Sequence, residues 1–263
     1  MRNQLTLFFV ALQFYTRIPI PKWVVFKSEN LSPATRFLPL IGWIVGLVSA
    51  LTFLLVSYLT NDSIAIVSSV IASIILTGAL HEDGFADTCD GFGGGWTREK
   101  ILLIMKDSRI GTYGAVGLIC LLTLKIYLLQ ALVIQANNNA SLVILLMVCA
   151  HTLSRFMPAI VIYSQPYARD TDDSKSKPVA HNVTATTLAI AAIFALLPLV
   201  LFSMSIGTPM ILLSIGVLLL ITWLLNRYFT KWIGGYTGDC LGAIQQVSEI
   251  GFYFFMVVLW KFI

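Results

Sequence analysis

Charge is scarce in this sequence. Only 11% of its 263 residues are Asp, Glu, Lys or Arg, while 57% are hydrophobic. A soluble domain of this length carries roughly twice that charged fraction, so a water-soluble globule is excluded. Cysteine pairs are missing as well. Cys89, Cys120, Cys149 and Cys240 stand far apart and form no C-x-x-C unit, which removes a disulfide framework and a zinc site. Cys120 and Cys149 lie in apolar runs, where a free thiol behaves as a small hydrophobe. Internal repeats and low-complexity tracts are absent. The net charge of +4 gives no nucleic-acid footprint in so apolar a chain. The opening "MRNQLTLFFVALQFYTRIPIP" lacks a small-residue cleavage site and runs at once into Arg17 and two prolines. It reads as an interfacial or half-buried helix rather than a cleaved leader.

What is present is a series of uncharged runs near the roughly 20 residues that cross a bilayer as helix. Seven spans are predicted: Phe37–Thr60, Ile64–Leu80, Ile110–Ile134, Ala140–Tyr163, Thr186–Ile206, Pro209–Asn226 and Ile244–Ile263. Only helices or closed barrels satisfy their backbone in lipid, and unbroken runs of this length favour helices. The expected fold is therefore all-α, a polytopic transmembrane bundle forming one domain over residues 1–263. Charge placement sets its orientation. Fourteen Lys and Arg fall before the first span and in every second connection, and none in "NDS", "QANNNA" and "GT". By the positive-inside rule the basic side and the N-terminus of this multi-pass chain are expected to be cytoplasmic. Asn182 begins a formal N-x-T acceptor but falls on that basic side. Homo-oligomerisation is left open.

The candidate chemistry begins at "GALHEDGFADTCDGFGGG", residues 78–95. Asp83, Asp87 and Asp90 stand at i, i+4 and i+7, which places them on one helical face. Like charges on adjacent turns need a counter-charge, and hard oxygen donors suit Mg²⁺ or Mn²⁺, with the shell completed by a phosphorylated substrate. A hydrated acidic loop is the plainer reading, but acids at a membrane boundary are costly and usually functional. Gly91, Gly93, Gly94 and Gly95 follow. They could form a flexible turn or cradle a phosphate with their N–H groups.

Further on, Lys106 and Arg109 flank Asp107. Arg suits bidentate phosphate binding, although basic residues at this position also anchor a positive-inside loop. In "GGYTGDCLGA" Asp239 sits in a Gly-rich break, with Glu249 ten residues on inside a span. Such a break suggests backbone shaped around a polar site, or alternatively close helix packing. Within the spans, Arg155 is expected either to snorkel or to face the acidic cluster, while Lys125 lies nearer mid-membrane. His81 adjoins the acids; His151 and His181 read as structural and form no ligand pattern with it.

Four stretches, "FYTRIPIP", "HEDGFADTCDGFGGG", "MKDSRIGTYGAVGL" and "GGYTGDCLGA", together resemble the cobalamin synthase (adenosylcobinamide-GDP ribazoletransferase) family. "FLPLIGWIVG", Ser154–Arg155 and Tyr167–Arg169 fit too, so the resemblance spans almost the whole chain. It implies a Mg²⁺-dependent phosphotransferase of the cytoplasmic membrane. Adenosylcobinamide-GDP and α-ribazole, or α-ribazole 5′-phosphate, would yield adenosylcobalamin, or its phosphate, and GMP, closing the nucleotide loop of the corrinoid. Many members carry an apolar residue where this chain has Glu82, so no ligand role passes to Glu82. Phosphoryl transfer needs positioning and charge neutralisation more than covalent help. Asp83, Asp87 and Asp90 are expected to hold Mg²⁺, with Arg109 and Lys106 on phosphate. Arg155, Gly93, Gly94 and His81 are further candidates for substrate contact, and Asp107 or Asp239 would accept the hydroxyl proton. A CDP-alcohol phosphotransferase is the nearest alternative, but Asp87 stands where its pattern expects an Arg. An ion-coupled transporter would place its ionisable groups nearer mid-membrane.

Overall fold

The computed structural model describes residues 2–137, 139–169, 180 and 183–262; His181, Asn182, Lys175 and Lys177 lie outside them. Eleven helices run in chain order among the described residues: α1 Arg2–Tyr15, α2 Leu31–Ala34, α3 Leu38–Leu59, α4 Asp62–Thr77, α5 Leu80–Gly94, α6 Arg98–Ile104, α7 Thr112–Gln135, α8 Ala140–Ser164, α9 Ala185–Ile206, α10 Leu213–Ile233 and α11 Gly238–Leu259. Short 3₁₀ turns precede α2, α3 and α10. No strand occurs among these residues; an isolated bridge joins Tyr167 to Tyr236.

Each of the seven expected spans contains a helix. Six are long and apolar enough to cross a bilayer alone, and the count reaches seven if α4 and α5 form one broken span. Leu51, Leu55, Ile75, Ile119, Ile193 and Leu220 stay exposed on the outer surface, as lipid-facing positions should. The protein is a multi-pass membrane protein.

Close packing holds the centre. A Cβ on Gly42 would lie 2.5 Å from the His151 carbonyl, and one on Gly46 2.6 Å from Val148 Cα. Two glycines one turn apart thus let α3 lie backbone to backbone on α8, the small-residue device of membrane helices. α8 is the most enclosed span, buried from Leu146 to Arg155 without interruption. Around it sit α3, α9 and α11.

Two expectations are corrected at the second span. It does not run through to Leu80. α4 ends at Thr77, and α5 leaves at 89° to it. Gly78 (φ 64°) and Ala79 (φ 57°) are both left-handed. Their N–H groups bond back to Ile75 O (3.1 Å) and Ile74 O (2.9 Å), a Schellman closure that satisfies the last carbonyls of α4. The Arg17 guanidinium occupies the space a Gly78 Cβ would need, and Arg17 N donates to Leu76 O at 2.7 Å. The chain leaving α1 therefore docks on the break. Second, the glycines after Asp90 are not a loop. Gly91, Gly93 and Gly94 belong to the last turns of α5, where a Cβ would strike Met105 at Gly91 and the Tyr113 ring at Gly93. Their N–H groups lie in the helix ladder, and their lack of a side chain serves packing.

Candidate active site

α5 and the start of α11 lie against each other through glycine. A Cβ on Gly84 would meet Asp239 O at 3.0 Å, and one on Gly242 would meet His81 O at 3.0 Å. This approach forms one wall of a cavity of about 100 Å³. At roughly 10–15 Å³ per water, that is room for several waters or a phosphate-sized group. Asp83 and His81 reach it from α5, Arg155 from α8, Asp239 from α11 and Arg169 from the segment after α8. Phe14 and Tyr15 at the end of α1 form an apolar side. The Tyr15 and His81 rings are parallel within 10°, with centroids 6.5 Å apart.

Local sequence places the two α11-side groups. Thr237 caps α11, its hydroxyl accepting from Cys240 N at 3.3 Å, so Asp239 falls in the first turn, where a helix dipole favours an anion. The expected Gly-rich break is therefore residues 234–237, and the last span starts before Ile244. Tyr236 N donates to Pro166 O at 3.2 Å, and Ala168 N donates to Tyr236 O at 2.8 Å. Arg98 clamps the same strip, donating to Ala168 O at 2.8 Å and to Ile233 O at 3.1 Å. Held in this way, Arg169 Nη2 donates to Asp239 Oδ2 at 2.9 Å, with both side chains about one-fifth exposed. Arg169 entered the sequence reading among the fourteen basic residues and in the Tyr167–Arg169 match, with no role at the site.

The three-carboxylate face is not assembled. Among the described residues no group of three or more His, Cys, Asp or Glu is gathered to hold a metal ion. Asp90 explains why. It is buried, and its Oδ2 accepts from Gly111 N (2.7 Å) while Oδ1 accepts from Gly114 N (2.8 Å). Gly111, the residue before α7, has no side chain to cap it, so Asp90 supplies the missing acceptors. Asp83 is exposed and Asp87 half-buried, one turn apart on α5.

Asp107 and Arg109 do not line the cavity. They form an exposed bidentate pair, with Arg109 Nη2 on Asp107 Oδ2 at 2.6 Å and Nε on Oδ1 at 3.0 Å. That hydrogen bonding holds the Asp107 carboxyl down to about 2. Lys106 is also exposed, beside them.

Behind the cavity wall lies a buried polar cluster. Arg155 does not snorkel; it is 2% exposed, and Nη1 lies 3.2 Å from His151 Nδ1 and 3.1 Å from His151 O. Glu249 Oε2 lies 3.4 Å from the same Nδ1, and its Oε1 pairs with Lys125 Nζ at 3.0 Å. Gln245 Nε2 donates to Glu249 Oε2 (2.8 Å) and to Ser154 Oγ (3.0 Å). Lys125 also donates to Gln246 Oε1 (2.9 Å), whose amide donates to Glu82 Oε1 (2.8 Å). Two acids and two cations balance across four helices, as burial of charge requires. Sequence reasoning missed this cluster. Polar Gln245, Gln246 and Glu249 within one span were the available signal.

Such a molecule is a polytopic helical membrane protein with a cavity where carboxylates meet arginines, a setting for phosphate chemistry. The chain matches the Cobalamin-5-phosphate synthase family over residues 7–257 and belongs to it. It is 45% identical over 258 residues to adenosylcobinamide-GDP ribazoletransferase of Shewanella pealeana, covering 98% of this chain and 97% of that one. The enzyme of the same name from Shewanella woodyi is 47% identical over 257 residues, with 98% and 97% covered. That from Shewanella frigidimarina is 47% identical over 254 residues, with 95% and 94% covered. No solved structure matches the chain.

Proposed function

We propose that this protein transfers the adenosylcobinamide phosphate of adenosylcobinamide-GDP to α-ribazole or its 5′-phosphate, releasing GMP. The observation that carries this reading is the convergence of Asp83, Arg155, Arg169 and Asp239 on one cavity in a chain of this family. A ribose hydroxyl of the acceptor attacks the phosphorus attached to cobinamide. The new P–O bond forms as the bond to GMP breaks, and Asp239 takes the hydroxyl proton. Asp239 suits this role better than Asp107, because Asp239 lines the cavity and Asp107 does not. Arg169 and Arg155 bind the pyrophosphate oxygens and stabilise the departing charge.

The donor set fits Mg²⁺ in a reduced form. Mg²⁺ usually takes one or two carboxylates and fills its shell with water and phosphate oxygens. Asp83 and Asp87 are the residues that would hold it, with Asp90 committed to α7. Bound there, the ion would neutralise charge on the pyrophosphate. The Lys/Arg asymmetry supports a cavity facing the cytoplasm, and we place the protein in the inner membrane on the family's account.

The test is release of GMP by purified protein in lipid, requiring adenosylcobinamide-GDP, α-ribazole and Mg²⁺ together. Asp83→Ala and Asp87→Ala should abolish it, and Asp239→Asn should lower kcat by roughly 10²–10⁴. No GMP from the wild-type protein would sink the function. Full activity in both alanine variants would remove the metal assignment, and an unchanged kcat in Asp239→Asn would remove the base.

A further inference from the structure

Arg155 is an unusual buried cation. Among the described residues no carboxylate lies within 4.0 Å of it; its recorded partners are His151 Nδ1 and His151 O. Its Nε is fully enclosed without a partner. Yet the side chain forms part of the cavity wall. A buried guanidinium without a direct counter-ion is costly, and Glu249 supplies a negative charge within the same buried cluster, on the far side of His151. His151 Nδ1 is shared between the two, 3.2 Å from Arg155 and 3.4 Å from Glu249. With a lone pair at Nδ1 it accepts from Arg155; with a proton there it donates to Glu249. It cannot do both at once.

We propose that Glu249 is a positioning residue: with His151 Nδ1 accepting from Arg155, its carboxylate stabilises the guanidinium electrostatically across the imidazole, with no shared proton, and holds it oriented toward the phosphates in the cavity. This rests on the functional reading above. Lys125 completes the arrangement by fixing the other oxygen of Glu249, and Gln245 fixes the first. The carboxylate therefore has no freedom to swing to Arg155 and neutralise it directly. The guanidinium is stabilised at one remove and keeps N–H groups for a ligand anion. A direct carboxylate partner would compete with substrate phosphate for the same donors.

The proposal separates positioning from mere folding through a double-mutant cycle. Glu249→Gln leaves Lys125 buried without its partner and can fail to fold, and removing Lys125 would free the carboxylate the proposal needs fixed, so Glu249→Asp, which keeps the charge at shorter reach, is run beside it in the otherwise wild-type protein. Each is combined with Arg155→Lys, and KM for adenosylcobinamide-GDP, kcat and unfolding temperature are measured. The expected result is a roughly tenfold rise in KM for Glu249→Gln. Little further rise should appear when Arg155→Lys is already present, and the KM of α-ribazole should be unmoved. His151→Asn, which keeps an acceptor near the Nδ1 position, should retain most activity, whereas His151→Leu should lose it. The same cycle read by calorimetric binding of inorganic pyrophosphate keeps the two ideas apart. Coupled binding losses with no GMP release by the wild-type protein would overturn the function and leave the positioning intact. GMP release with additive effects, or with loss of unfolding temperature alone, would overturn the positioning.

Discussion

Asp90 separates two readings of the same residue, metal ligand and helix cap, and they predict opposite results. Its carboxylate receives two short hydrogen bonds, from Gly111 N at 2.7 Å and Gly114 N at 2.8 Å, at the first turn of α7. Both glycines approach so closely that a Cβ on either would strike the carboxylate, so no other residue can slip in as a substitute cap. Hydrogen bonds to a charged group contribute about 1.5–3 kcal/mol each, and the helix-terminal charge adds about 0.3–1 kcal/mol. Asp90→Ala should therefore destabilise the protein by about 3–5 kcal/mol, allowing for partial relaxation. Asp90→Asn should cost about half as much, because its amide NH₂ would face one of the two N–H donors. The assay is denaturant-induced unfolding of purified protein in mixed micelles. It is paired with the Mg²⁺ concentration that gives half-maximal GMP release. The cap predicts a large loss of stability with the Mg²⁺ midpoint of the surviving activity unchanged. An Asp90→Ala protein as stable as the parent but needing far more Mg²⁺ would refute the argument and restore the three-carboxylate site.

Two further outcomes follow from the geometry. Gly42→Ala should destabilise by about 1–3 kcal/mol, since its Cβ would sit 2.5 Å from the His151 carbonyl; it should also disturb activity more than Gly216→Ala, a site with nothing within 4 Å. Equal behaviour of the two would refute the close α3–α8 contact. The Asp107 carboxyl is lowered to about 2 by Arg109. Since its folded value is depressed, the ion pair is complete above the ordinary Asp range and is lost only as pH falls through about 2. Asp107→Asn should thus leave the acid limb of the kcat/KM profile in place, and a shift of that limb would mean that Asp107 takes part in proton transfer.

The transmembrane helices were legible because lipid imposes a blunt rule: about 20 apolar residues in a row, with charge banished to the ends. The break between α4 and α5 was not, because "LTGAL" carries no charge and Ala79 at positive φ is a choice local propensity opposes. What holds it is Arg17, over sixty residues earlier in the chain. The glycines after Asp90 misled for a similar reason. Glycine is a poor helix former in isolation, and only the Met105 and Tyr113 side chains, which arrive later in sequence, make its smallness necessary. Spacing put Asp90 on the face of Asp83 and Asp87 correctly as a helix property, but the N–H groups that claim it lie 21 and 24 residues on.

The buried cluster is the instructive case, because half of it follows from charge balance alone. Of the acids in the chain, only Glu249 falls inside the seven predicted spans, and Lys125 and Arg155 are the cations there away from the chain's last residues. A membrane interior does not tolerate an unpaired Lys, so Lys125 required an acid and Glu249 was the available one; the 3.0 Å pair is that requirement met. Once Glu249 is bound to Lys125, one cation remains without a carboxylate, and it is Arg155 in the cavity wall. Glu82 restores neutrality to the cluster through Gln246 without touching Arg155. A guanidinium with no carboxylate directly on it is thus a consequence of how the buried charges pair. On the proposed reading, that leaves the α8 arginine to meet a substrate anion instead of a protein one.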